Sequence, residues 1–193
     1  MGSSKQKKNG LWRVITLHSL LLLMAGLPKD TSAQVFLTSE QALSKLMPEA
    51  EAIVTEQKIL TPESAKQLEE TLGKRVKEQE YTFFIGMEQD EPVGYGMILD
   101  MIGKERPITF LVVINPDGTV RAVEVLVYRE SQGFEIRSAR FMRQFEGKTI
   151  RAPLRPGRDI DIITGATLSS RSTAYVVKKA LALTNLFYGI GRP

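Results

Sequence analysis

The chain of 193 residues has no cysteine, a single histidine and one tryptophan. Without cysteine there is no disulfide, no thiolate nucleophile, no cysteine-ligated iron–sulfur cluster and no thioether-attached haem. Aromatic residues make up only 7%, and no apolar run reaches the roughly 18–20 residues of a membrane-spanning helix. What remains is ordinary for a globular chain: 42% hydrophobic residues, 25% charged residues and a net charge of +4.

The surplus charge sits at the front. Lys5, Lys7, Lys8 and Arg13 form a basic segment, Val14–Leu27 is an apolar stretch of 14 residues, and Thr31-Ser32-Ala33 supplies small residues of the kind a signal peptidase reads. Residues 1–33 are therefore expected to be an export signal, with a short uncleaved anchor at 14–27 as the alternative. Met1-Gly2-Ser3-Ser4-Lys5-Gln6 has Gln where a myristoylation signal has Ser or Thr. The leader holds five of the 26 basic residues, one of the 22 acids and the only histidine, His18, so residues 34–193 carry 21 of each sign. An exported chain without Cys or His has no serine–histidine triad, no histidine-based zinc site and no haem ligand. No catalytic residue and no metal site is expected, and redox chemistry would have to come from an organic cofactor.

Residues 34–78 read as a helical N-terminal region. Thr38 and Gln41 form a capping box ahead of Leu43, Leu46 and Met47, and Pro48 should end that helix. Thr61-Pro62 opens a second helix with Ala65, Leu68, Leu72 and Val76 at helical spacing. The pattern then changes to strands. Tyr81–Met87 and Val93–Met101 flank a Gln89-Asp90-Glu91-Pro92 turn, and Ile108–Ile114 and Thr119–Tyr128 flank Asn115-Pro116-Asp117-Gly118. A short helical piece holds Phe141 and Phe145. A closing helix over about Ser169–Leu186 places Ala174, Val177, Ala180, Leu181 and Thr184 on one stripe. Two hairpins with helices at both ends of the chain predict an α+β fold with a mostly antiparallel sheet.

The segment Asp161-Ile162-Ile163-Thr164-Gly165-Ala166-Thr167-Leu168-Ser169-Ser170-Arg171 stands apart. An apolar approach runs through small and hydroxylated residues into the last helix, where Gly165 and Ala166 admit a ligand close to the backbone and helical N–H groups can hold an anion. Ser169, Ser170 and Arg171 add donors. The same stretch also reads as an ordinary helix entry with serine capping and a tight glycine turn.

Asp161-x-x-Thr164-Gly165-Ala166-Thr167 resembles the D-x-x-[S/T]-G-A-T motif of FMN-binding domains, found in the covalently flavinylated subunits of Rnf-type and sodium-pumping NADH:quinone oxidoreductases and in relatives such as the nitrous-oxide-reduction regulator. The resemblance runs from about Tyr81 to Leu186 and includes Asp117-Gly118-Thr119 and Gln144-Phe145-x-Gly147-Lys148; residues 79–193 are the corresponding domain. Where the Rnf-type subunits have a loop resembling E-T-P-G-L-G, this chain has Glu130-Ser131-Gln132-Gly133-Phe134-Glu135. With that departure, a shorter chain and no convincing permanent membrane helix, it looks like a soluble or loosely attached relative rather than an ion-pump subunit.

The resemblance implies a flavoprotein in which a Mg-dependent flavin transferase takes FMN from FAD and esterifies it to Thr167, leaving a phosphate-bearing threonine. Asp161, Thr164, Gly165 and Ala166 would be the recognised sequence, and Leu168, Ser169, Ser170 and Arg171 would complete the cofactor site. Glu130 would hydrogen-bond the flavin or be a solvated turn acid, and Tyr95, Tyr128, Phe134 and Phe141 would face the isoalloxazine or be ordinary core aromatics. The implied role is electron transport outside the cytoplasm, in the periplasm or at the membrane surface, between redox partners and without nucleic acid. A non-covalent FMN or redox-sensing module for a membrane partner, and a flavin-free adaptor, are the alternatives. Arg121–Arg158 holds nine basic residues against four acids, which reads either as a docking face for an acidic partner or anionic lipid or as a solvated face with local ion pairs.

Overall fold

A computed structural model describes residues 33–191; the export signal or anchor expected at 1–33 lies outside the described residues but for Ala33. Among those residues no helix is long and apolar enough to cross a membrane. Six strands form one antiparallel sheet in the order β1-β6-β5-β4-β3-β2, made of β1 (Gln34–Val35), β2 (Ala52–Ile59), β3 (Glu80–Glu88), β4 (Glu91–Ile102), β5 (Pro107–Ile114) and β6 (Val120–Tyr128). The helices are α1 (Ser39–Leu46), α2 (Pro62–Leu72), α3 (Ala139–Arg143) and α4 (Thr167–Tyr188), with a 3-10 turn at Phe134–Arg137. The fold is α+β with helices at both ends of the chain.

Local chemistry sets the element ends. Thr38 accepts from the Gln41 amide while the Gln41 side chain accepts from the Thr38 amide, the reciprocal pair that starts α1. Thr61 and Ser64 do the same for α2, with Pro62 in its first turn. Gly73 ends α2 in the left-handed conformation at φ +67°. Val76, expected on the helical stripe, therefore lies beyond the helix; it is still buried, and its N–H donates to Glu69 Oε1 at 2.9 Å. Gln89 and Asp90 both have positive φ, giving a two-residue hairpin turn, so Glu91 and Pro92 belong to β4 rather than to the turn.

One expectation fails in the N-terminal part. The region 34–78 is not wholly helical, because Ala52–Ile59 forms β2 and pairs with β3 along its whole length. Its sequence, Ala-Ile-Val-Thr-Glu-Gln-Lys-Ile, lacks the clean apolar alternation of a half-buried strand because neither of its faces is fully buried.

The larger core lies between the sheet and the α2–α4 layer, where Phe83, Met97, Phe110, Val112 and Ile108 meet Leu68, Val177, Ala180, Leu181 and Leu183. On the other sheet face α1 and Met47 cover a smaller cluster with Leu111, Val113 and Leu126. The expected stripe of α4 is buried in full, from Ala174 to Thr184. At the far end of α4, Tyr188 packs 5.0 Å from Phe83 and 4.7 Å from Tyr95 between ring centroids.

The two sides of α4 predict different costs. Leu181→Ala should lower the unfolding free energy by about 2–5 kcal/mol, since Leu181 is 2% exposed, whereas Leu168→Ala at 45% exposure should stay within about 0.5 kcal/mol. Urea unfolding of both variants checks it.

Candidate functional site

Three chain segments converge on one cleft of about 290 Å³: the β4–β5 turn with Lys104 and Glu105, the loop after β6 with Glu130, Ser131 and Gln132, and Gly165–Ser169 at the start of α4. Their meeting has a definite cause. Glu130 Oε1 accepts from three successive amides, those of Lys104 at 2.5 Å, Glu105 at 2.7 Å and Arg106 at 3.0 Å. Such a run of N–H groups is an anion-binding concavity, filled here by the protein's own carboxylate. Burial pushes the Glu130 carboxyl up, but the three amides outweigh it and hold the group below its ordinary range.

The loop after β6 reaches α4 through Gly133. This residue has φ +84°, and a Cβ there would lie 3.2 Å from both Ala166 Cβ and Ser169 Oγ and 3.0 Å from Tyr128 Oη. Only glycine satisfies both the backbone angle and the close approach. Tyr128 Oη donates to the Gln132 carbonyl at 2.5 Å, fixing the same loop from below, and burial raises its hydroxyl pKa. Gly165, also at φ +84°, turns the chain into α4 with open space around it.

The start of α4 has no side-chain cap, and no acid lies in its first turn. Ala166 is the N-cap, and the amides of Thr167, Leu168 and Ser169 precede the first intrahelical donor, the Ser170 N–H, which bonds the Ala166 carbonyl. Serine capping, one reading of this stretch, does not occur. Ser170 Oγ instead points inward, donating to the Ala166 carbonyl at 2.9 Å and accepting from the Ile163 N–H at 3.3 Å. Ser170 is fully buried and Ser169 nearly so. Ser170 thus braces the motif from behind, with its hydroxyl turned away from the cleft.

The expected site residues divide. Gly165, Ala166, Thr167, Leu168, Ser169 and Glu130 share the cleft. Asp161 does not line it; with Ile162 and Ile163 it borders a second cavity of about 380 Å³ that also contains Ser138, Arg140, Phe141 and Gln144. The Asp161 N–H donates to Gln144 Oε1 at 2.7 Å, which ties the motif's start to the end of α3. Thr164 is exposed in the turn between the two cavities, and Arg171 is exposed on α4. Glu130 is neither a free turn acid nor a carboxylate with both oxygens open to a ligand, because its Oε1 is taken by the backbone.

Three of the four candidate aromatics, Tyr95, Tyr128 and Phe141, are buried in different parts of the core. Tyr95 packs on Tyr188 at the other end of α4, and Phe141 is buried against Phe145. Phe134 is 47% exposed and stands edge-on to Tyr128, beside the cleft. The basic stretch is likewise not one surface. Arg121 bonds Asn115 Oδ1, the carbonyls of Leu46 and Val93, and Glu49; Arg129 bonds the Pro107 carbonyl and Thr109. Arg137 lies 3.2 Å over the Phe36 ring. These three are structural cations, which leaves a smaller set for any docking role.

Lys104, Glu105 and Gln132 were not among the expected site residues. Gly103-Lys104-Glu105-Arg106 reads only as a polar turn, and its place beside Thr167 depends on the Glu130 bonds between elements far apart in sequence.

The donor set fits a phosphate-bearing group: three first-turn amides, one Thr hydroxyl, small residues at the approach and Lys104 across the cleft. The volume is at the lower limit of ligand pockets, so the cleft suits one end of a nucleotide rather than enclosing the whole. Residues 103–182 match the family model of the FMN-binding domain. That stretch starts in the β4–β5 turn and ends within α4, so the match contains every wall of the cleft. No curated protein matches the chain significantly.

Glu130→Gln should lower stability by about 1–2 kcal/mol at pH 7, since hydrogen bonds to a charged acceptor become bonds to a neutral amide. The folded-state pKa of Glu130 is depressed, so its contribution is complete above the unfolded carboxyl value and fades as pH falls through the folded one. The gap between wild type and variant in denaturant midpoint should therefore be clear at pH 7 and shrink at pH 3.

Proposed function

We propose that the protein is an exported electron carrier whose FMN is joined by a phosphoester to Thr167. The observation that carries this is the position of Thr167, the first residue of an uncapped helix, in a cleft whose walls all lie within the matched FMN-binding stretch. Bound FMN supplies the one- and two-electron chemistry that a chain with no cysteine lacks.

In this reading the Thr167 oxygen becomes the ester bridge. A Mg-dependent transferase using FAD provides the activated FMN phosphorus, takes the hydroxyl proton and retains the AMP leaving group. The amides of Thr167, Leu168 and Ser169 then face the phosphate, a placement worth about 0.3–1 kcal/mol per charge contact at an exposed helix end. Lys104 adds a cation from the opposite wall, and Ser170 and Gly133 hold the segment in place. Asp161, Thr164, Gly165 and Ala166 serve as the sequence the transferase reads. Export rests on the basic and apolar pattern of residues 1–33, and the redox partners then lie outside the cytoplasm or at the membrane.

A second reading, a non-covalent FMN or redox-sensing module, draws on the same uncapped helix, because a phosphate needs no ester to bind there. Co-expression with an FAD-dependent flavin transferase separates the two. Intact-mass analysis should show a gain of one FMN less water, lost completely in Thr167→Ala and kept in Thr71→Ala, a change on α2 outside both the motif and the cleft. Flavin released by acid precipitation from an unmodified Thr167 would select the non-covalent module, and a colourless product would select a flavin-free adaptor.

A further inference from the structure

The two edges of the sheet are unlike. At one edge β6 is covered by β1, by the bond from Phe36 N–H to the Leu126 carbonyl, and by Gly147 and Lys148, which bond the backbone of Val120. At the other edge β2 is eight residues long and has no neighbour beyond β3 among the described residues. Ile53, Val54 and Ile59 are 37%, 43% and 69% exposed, three of the seven large apolar residues exposed among the described residues. No proline or bulge blunts this edge, and Lys58 is its only lysine.

The pairing register fixes which backbone groups are open. Leu60 N–H donates to the Gln79 carbonyl, so the even-numbered positions of β2 face β3. In an antiparallel ladder the N–H and C=O groups of Ile53, Thr55, Gln57 and Ile59 then point outward. Glu56 and Lys58 lie opposite Phe83 and Tyr81 on the α4 side of the sheet, where Glu56 accepts from Tyr188 Oη at 2.9 Å and Lys58 stands 5.0 Å from the Tyr188 ring.

We propose that β2 pairs antiparallel with β2 of a second copy of this chain, about a two-fold axis at Gln57. In this register Gln57 meets Gln57 of the second copy, and Thr55 and Ile59 face each other twice, in pairs that exchange both backbone bonds. Glu56 faces Lys58 of the second copy, and Lys58 faces Glu56, in the closer non-hydrogen-bonded pairs. The two-fold makes every contact reciprocal. An axis at Glu56 or Lys58 would set like charges against each other, and an axis at Thr55 would leave both without an opposite charge. The existing Glu56–Lys58 ion pair at 2.6 Å becomes part of a four-membered ring of alternating charge. The self-complementary charges favour a second copy over an unrelated strand.

Sedimentation velocity over a concentration series tests this with the protein expressed from its full sequence. Wild type should show a reversible monomer–dimer equilibrium. Glu56→Lys and Lys58→Glu should each dimerise at least tenfold more weakly, and an equimolar mixture of the two should associate again because each supplies the charges the other needs. Gln57→Pro removes the outward N–H at the axis without touching the β3 ladder and should be monomeric, with circular dichroism confirming the fold of each variant. A wild type that stays monomeric throughout, a Gln57→Pro protein that dimerises like wild type, or folded single variants whose mixture fails to associate would overturn the proposal. Flavin attachment should be unchanged in all of them, since β2 lines no part of the Thr167 cleft.

Discussion

The burial of α4 is the constraint on which the rest of this structure depends. Thirteen of its 22 residues are buried, including Lys179 and five hydroxyl-bearing positions, so it is enclosed on far more than one face. A helix buried so widely must place its polar groups internally. Thr173 and Thr184 bond the carbonyls four residues back, Ser172 Oγ donates to the Ile102 carbonyl at 2.6 Å, and Lys179 meets Glu78 at 3.0 Å. The Ser172 and Lys179 bonds, which leave the helix, fix it in rotation and along its axis, while Tyr188 against Phe83 and Tyr95 fixes its far end. The first turn has no freedom left. Its amides open where the sheet's loops meet, and the cleft follows from helix packing rather than from any cleft-lining residue alone.

The cleft walls are held by a different device. A polar turn and a loop 26 residues apart in sequence are joined because one carboxylate satisfies three amides that would otherwise need water. Gly133 then brings that loop onto Ala166 and Ser169. The site is therefore cross-braced: α4 is set by the core, the β4–β5 turn by Glu130, and the intervening loop by Gly133 and Tyr128. Pre-arrangement of this kind matters for an anion, since amides already oriented need no reorganisation on binding.

The sequence displayed whatever depends on local chemistry. The Thr38 and Thr61 starts, the Asn115–Gly118 turn and the stripe from Ala174 to Thr184 are each written in a few adjacent residues, and each appears where expected. What depended on distant partners was hidden. β2 gave no period because neither of its faces is fully buried in the core. Arg121 and Arg129 looked like surface charge, yet their partners are carbonyls and side chains brought close by the sheet. Ser170 looked like a ligand donor, but its position four residues after Ala166 makes the Ala166 carbonyl its natural acceptor. The motif's small residues line the cleft; which of its hydroxyls face that cleft is decided by helical phase.

The openness of the site bears on how a cofactor would be kept there. A micromolar complex needs about 8 kcal/mol of binding free energy. A phosphate at an exposed helix start gains about 0.3–1 kcal/mol per charge contact, and a cleft of about 290 Å³ is at the lower limit of ligand pockets. Stacking on a half-exposed aromatic such as Phe134 would add about 0.5–1.5 kcal/mol beyond its area. These contributions fall well short of what an exported protein would need to hold a cofactor that the surrounding medium does not replenish. A covalent bond removes the requirement, since a tethered group stays at high effective concentration however weak its contacts are. Under the proposed attachment the uncapped helix start would orient the phosphate, and the ester would supply retention.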